Sequence, residues 1–368
     1  STWQEISHEL DVESLYFLGG VWGSSRSDVY VVGGGGTISH YDGSAWQTVR
    51  RPDAAPVYHL RDVWGSSRSD IYAVGDGGII MHYDDNSWRN VPHHLTAAGF
   101  NAVWVNSGSG VYTVGTSAIL HTDGSVPVRD CFQEVYLTMV RNPLYLTRHQ
   151  PVIHGDNLMN TNANHRTRAS ASILSLLMLL ALFAGGADQA AARAKSPTTH
   201  TCDWRAVETL PQSSTLQHVW GLGPDDLYAV GGHGMILHDS GRGWQQVRHG
   251  LTAATLHSTW GSSPTNIFIV GDSGTILHFD GNAWNLVTHN LTGTTLSGLW
   301  GSGPTDIYAV GDEGVILRYD GTDWSRVDHK LTNLGLNDIW GSSETDIYAV
   351  GDEGAILHFD GNAWQSID

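Results

Sequence analysis

Basic residues are scarce. Lysine and arginine together number 19 against 37 aspartates and glutamates, for a formal net charge of −18. No stretch gathers them into a patch, which excludes a nucleic-acid or anionic-membrane surface, because neutralising phosphates needs clustered cations. Cysteine is scarcer still: Cys131 and Cys202 are the only two, too few for a disulfide framework. The one long apolar run, Ile173 to Ala184, falls short of the roughly 20 residues a membrane-spanning helix needs, so no stable span is expected. Catalytic signatures are missing too. There is no GxSxG elbow, no HExxH zinc helix, no phosphate loop and no EF-hand spacing. No cofactor, metal site or catalytic residue is expected.

What the chain has in excess is glycine, 44 residues, and tryptophan, 15 residues. Both recur on a fixed period. The tryptophans of the "WG"-like pairs stand at Trp22, Trp64, Trp104, Trp220, Trp260, Trp300 and Trp340. Successive members are 40 or 42 apart, except across the gap from Trp104 to Trp220, which is 116, one period plus 76. A period of about 40 residues marks a propeller blade. Four strand signals fill each copy. Strand A ends in "VWG", strand B is "DIYAVG", strand C is "AILHFD", and strand D opens on the Trp of "DGxxW". Strand B is apolar on both faces, as a sheet sandwiched between neighbours requires. Radial stacking of four-stranded sheets supplies that burial; a linear β-solenoid, with its usually shorter repeats, is the competing architecture. The expectation is an all-β, seven-bladed β-propeller. D-type segments occur eight times, from "WQEI" at Trp3 to "WQSI" at Trp364, so one terminal copy is redundant or competes for the outer edge of the closing blade.

The "GxIxHxDGxxW" segments resemble the Asp-box of bacterial neuraminidase (BNR) repeat propellers. They are also similar to the repeats of photosystem II assembly-factor-like propellers. The resemblance covers all seven copies and implies a propeller in which the Asp-boxes are structural turns on the side away from the ligand face. The copies depart from the strict pattern: His usually replaces the Ser/Thr two residues before Asp. Sialidase chemistry would call for an arginine cluster and a Tyr/Glu pair, and the arginines here do not recur in register.

The domain plan has three parts. Residues 1–124 hold blades 1–3 with the extra N-terminal strand. Residues 125–201 are an insertion in the C–D hairpin of blade 3, a turn being where insertions are tolerated. Residues 202–368 hold the outer strand of blade 3 and blades 4–7. Within the insertion, residues 159–190 carry a basic stretch with Arg166 and Arg168, the apolar run, and small residues after it. That order is the grammar of a secretory signal. It implies an exported, periplasmic or surface protein, and self-association if the chain is processed there.

Two histidine series stand out. His40, His82, His121, His238, His278 and His358 share one strand C position, with Arg318 breaking the set in the sixth copy. Equivalent positions in neighbouring blades are about 10 Å apart or more, too far to share an ion, so this set reads as structural. The second series lies in the D–A loops, at His8, His93, His249, His289 and His329. Those loops share a face with the B–C turns, which carry Asp76, Asp272, Asp312, Glu313, Asp352 and Glu353. The face predicts a polar ligand surface for a glycan or protein, formed by Asp76, His93, His249, Asp272, His289, Asp312, Glu313, His329, Asp352 and Glu353. An assembly-factor-like docking scaffold is the alternative, and a BNR-type glycoside hydrolase the third reading.

Overall fold

The structure, a computed structural model, describes residues 17–50, 58–91, 93, 98–106, 110–116, 118–122, 204–207 and 215–367. The extra D-type segment at Trp3, His8, both cysteines, and the insertion with its signal-like segment lie outside the described residues.

Seven four-stranded antiparallel sheets form, each in the order A-B-C-D. Blade 5 is representative: A is Leu256–Ser263, B Asn266–Gly271, C Ile276–Phe279 and D Trp284–Leu286. The A strands of the other blades are Leu18–Ser25, Leu60–Ser67, Phe100–Asn106, Leu216–Gly223, Leu296–Gly303 and Leu336–Ser343. Each packs against the A strand of the next blade, and that of blade 7 packs against that of blade 1, which closes the ring. In blade 3, strand C (Ala118–Thr122) pairs with a D strand at Arg205–Ala206, across the stretch of chain that interrupts the repeat. The C-terminal D strand, Trp364–Ser366, pairs with strand C of blade 7, so "WQSI" fills the outer position there.

The repeat motifs explain the joints between blades. In five of the seven joints the Trp of the "WG" pair leans onto the glycine of the following blade, at Gly23, Gly65, Gly261, Gly301 and Gly341. A Cβ on Gly65, Gly301 or Gly341 would lie 2.6, 2.7 or 2.6 Å from a ring carbon of Trp22, Trp260 or Trp300, closer than carbons approach. The Trp that opens strand D packs the other way, edge-on to the strand B aromatic of the preceding blade: Trp88 on Tyr30, Trp284 on Tyr228, Trp324 on Phe268, Trp364 on Tyr308 and Trp46 on Tyr348. Two tryptophans per repeat thus bind each blade to both neighbours. The interior of strand B is buried on both faces, as in Ile347, Tyr348, Ala349 and Val350, all at 3% exposure or less.

The strand C histidines are part of this frame. Each stacks on the strand B ring of its own blade, with centroids 4.2 Å apart for Tyr30–His40 and 4.1 Å for Phe268–His278. Nε2 bonds the residue that opens strand B: Asp28, Asp70, Asp226, Asn266 and Asp346 at 2.7–2.8 Å. Arg318 makes the same contact to Asp306 at 2.8 Å and lies over Tyr308. The Asp of each "DGxxW" turn accepts backbone N–H groups two and three residues on, as Asp280 does from Asn282 and Ala283 at 2.9 Å. Those bonds hold the carboxyls of Asp280, Asp320 and Asp360 below their ordinary range, and at Asp42 the Ser44 hydroxyl, ahead of the backbone bonds, does the same.

Candidate functional site

The A strands line the central channel. Each carries a β-bulge against strand B just after its first leucine or phenylalanine. A bulge re-aims a side chain. The seven bulged residues are Gly19, Arg61, Asn101, Gln217, His257, Ser297 and Asn337. They differ almost completely, although the blades around them are close copies. Together with the residues that follow, they surround a channel cavity of about 110 Å³.

Bulged residues reach the B–C turns of their own blades. Arg61 Nε donates to Asp76 Oδ1 at 2.7 Å, His257 Nε2 lies 2.7 Å from Asp272 Oδ1, and Asn337 Nδ2 donates to Asp352 Oδ1 at 3.0 Å. The predicted turn carboxylates therefore stand at one mouth of the channel. Asp76, Asp272 and Asp352 are held there by these bonds; Asp312, Glu313 and Glu353 are exposed. Glu313 and Glu353 sit at φ 60° and 53°, where blades 1 and 2 place Gly35 and Gly77 at 66°. Two glutamates thus occupy a left-handed position that glycine fills without strain.

The predicted histidines lie on the same face but point into it. His93, His249, His289 and His329 place Nε2 against the carbonyls of Gly78, Gly234, Gly274 and Gly314 at 2.5, 2.7, 2.8 and 2.7 Å. In the last three, Nδ1 also accepts a backbone N–H two residues on. These rings tie the D–A loop to the B–C turn. Among the described residues no three His, Asp, Glu or Cys side chains are arranged to hold a metal.

One layer below the bulges, a second ring of positions runs Gly20, Asp62, Ala102, His218, Ser258, Gly298, Asp338. The large members cross to the next blade. Asp338 accepts from Val21 N–H and Asp62 from Val103 N–H, both at 2.8 Å, and His218 Nδ1 accepts from Thr259 N–H at 3.3 Å. Each is preceded around the ring by a small residue. A Cβ on Gly20 would lie 2.8 Å from Asp62 Cα, and one on Gly298 2.9 Å from Asp338 Cα. Large and small alternate, and because seven is odd, two small residues fall together at Ser258 and Gly298. Desolvation raises the carboxyls of both Asp62 and Asp338, the latter to about 7, and the charge of Asp338 adds to the rise at Asp62. Burial lowers His218 to about 4, which keeps it neutral as an acceptor.

The bulged residues and this second ring are not among the sequence candidates, which lie in the turns and loops that recur. Aligning the seven copies on "WG" and asking where they differ would have found them.

No protein-family model matches the chain, and no curated protein matches it. Solved structures do. One is YCF48 bound to a D1 peptide, 14% identical, with 94% of each chain covered and a TM-score of 0.61. YCF48 from Cyanidioschyzon merolae is 13% identical over 98% of this chain and 99% of that one, at 0.61. Virginiamycin B lyase from Staphylococcus aureus is 9% identical over 94% and 95%, at 0.64. At these identities the likeness shows the propeller fold, shared by a peptide-bound protein and an enzyme alike.

Proposed function

We propose that this chain is a non-catalytic docking propeller that holds a basic peptide segment of a protein partner at the mouth of its channel. The observation that carries the reading is the divergence of the seven bulged residues. A ring of copies presents the same chemistry seven times, and at the bulges it becomes chemically individual, where side chains converge on a concave, accessible mouth. The carboxylates of Asp272, Asp312, Glu313, Asp352 and Glu353, contributed by three consecutive blades, favour a cationic partner. The peptide in the YCF48 complex is a precedent for that class of ligand on this fold. Catalysis has less support: Arg61, the one arginine among the described channel-lining residues, is engaged by Asp76. Export is proposed from residues 159–190.

Panning a random peptide display library against the chain tests the reading. Ser297 lies at the mouth and Thr322 is exposed in a C–D turn on the opposite face. The selected peptides should be rich in Lys and Arg, should lose binding to Ser297→Trp, and should keep binding to Thr322→Trp. No enrichment, or equal loss with both variants, contradicts it.

A further inference from the structure

The opposite face, where the A–B and C–D turns lie, holds a larger cavity of about 450 Å³ between blades 1 and 2. That volume falls in the range of about 300–1,000 Å³ typical of small-ligand sites. Its back wall is the repeat frame: the ring of Tyr30, already stacked on His40, with Tyr83 6.2 Å and Trp88 6.0 Å away between centroids. Its rim departs from the repeat at three points. Arg68, matched by Arg26 in blade 1, stands where blades 4, 5 and 6 have Pro224, Pro264 and Pro304. Asp85 stands where blades 1, 5, 6 and 7 have Gly43, Gly281, Gly321 and Gly361. Ser87 stands where blades 1, 5 and 7 have alanine.

Asp85 carries the most information. Its φ is 69°, in a position where the four glycines lie at 89–97°. A non-glycine residue there costs about 1–3 kcal/mol, and the turn does not need it, since the other blades close with glycine. Among the described residues, the side chains of Arg68, Asp85 and Asn86 and the hydroxyls of Tyr30 and Tyr83 make no hydrogen bond within the protein. Val49, 46% exposed, adds an apolar edge. The cavity therefore offers aromatic and apolar surface beside unengaged donors and acceptors of both kinds.

We propose that this cavity between blades 1 and 2 binds a saccharide unit. Sugar rings match the set of groups: their C–H faces lie on aromatic rings, and their hydroxyls both donate and accept, so they satisfy a carboxylate, an amide and a guanidinium in one site. The charged rim does this only if it is left unpaired in the empty protein, and Arg68 and Asp85 form no ion pair with each other. The site is independent of the channel mouth, on the other face, and stands or falls separately from the docking reading.

The test uses the full chain and five free sugars: glucose, galactose, mannose, N-acetylglucosamine and glucuronic acid, with glycine as a zwitterionic control. Saturation-transfer NMR and calorimetry should show saturable binding of at least one sugar. Asp85→Gly gives blade 2 the residue of blades 1, 5, 6 and 7, and Arg68→Pro that of blades 4, 5 and 6; both should leave the melting temperature unchanged or higher. Either should weaken that binding about ten-fold or more, the loss expected for a hydrogen bond to a charged group. No saturable binding of any of the five sugars, binding that both variants retain, or binding of glycine alone overturns the proposal.

Discussion

At the scale of single residues, the "WG" pair has a physical reason that its repetition alone does not supply. The glycine is there because the indole of the preceding blade occupies the space of its Cβ. Gly301→Ala is expected to destabilise the protein by about 1–3 kcal/mol, the usual cost of overpacking. Gly303→Ala, where an added Cβ meets nothing within 4 Å, should stay within about 0.5 kcal/mol. Urea unfolding of the pair checks this, and equal effects would refute the packing account. Asp338 gives a pH prediction. Its folded pKa is raised above the unfolded value, so its contribution to stability is present below the unfolded pKa, near 4, and is lost as pH rises through about 7. His218 has the opposite sign, its folded pKa being depressed to about 4, so its contribution grows from pH 4 to 6.5 and is then complete. The clean window is pH 6.5 to 8. There the melting temperature should fall for the parent protein and fall less for Asp338→Asn, as thermal unfolding at the two pH values would show. An equal fall in both would remove Asp338 from the explanation.

At the scale of elements, the strands were legible and the bulge was not. "DIYAVG" announces strand B because β-branched and aromatic residues run without a polar face. "DGNAW" announces a turn because Gly361 and its equivalents take positive φ. Strand A is different. Its bulge breaks the period of two, so Arg61, His257 and Asn337 read as ordinary alternation when they are the residues aimed at the mouth. The loop histidines show the limit from another side: a recurring polar side chain in a loop suggests a ligand, and His249, His289 and His329 spend both ring nitrogens on their own backbone. The strand C histidine is likewise structural, and its loss should be costly. His358→Ala leaves Asp346, 5% exposed, without its ring partner, and should cost about 1–3 kcal/mol. Because that bond helps hold the Asp346 carboxyl low, the contribution is present above the unfolded carboxylate pKa and lost as pH falls through the folded one. Denaturation at pH 7 and pH 3 should show a smaller gap between parent and variant in acid.

For the whole molecule, the ring closes where blade 7 meets blade 1, the last and first described blades. It is made by the same devices as the other joints, including two polar bonds at the channel: Asp338 accepts from Val21 N–H as Asp62 does from Val103, and Asn337 Nδ2 donates to Leu18 O as Asn101 does to Leu216 O. The seven-fold count was readable from the spacing of the tryptophans. The function was less readable, because a repeat states its fold many times and its site once. The proposed docking site is the channel mouth formed by the A-strand bulges and the B–C turns. Hydrogen-exchange mass spectrometry with and without a Lys-rich peptide recovered by panning tests it most directly. Protection confined to segments containing residues 60–64, 256–260, 296–300 and 336–340 and the turns at 272–274, 312–314 and 352–354 is the predicted result. Protection in the C–D turns of the opposite face, or in none of these segments, would contradict it.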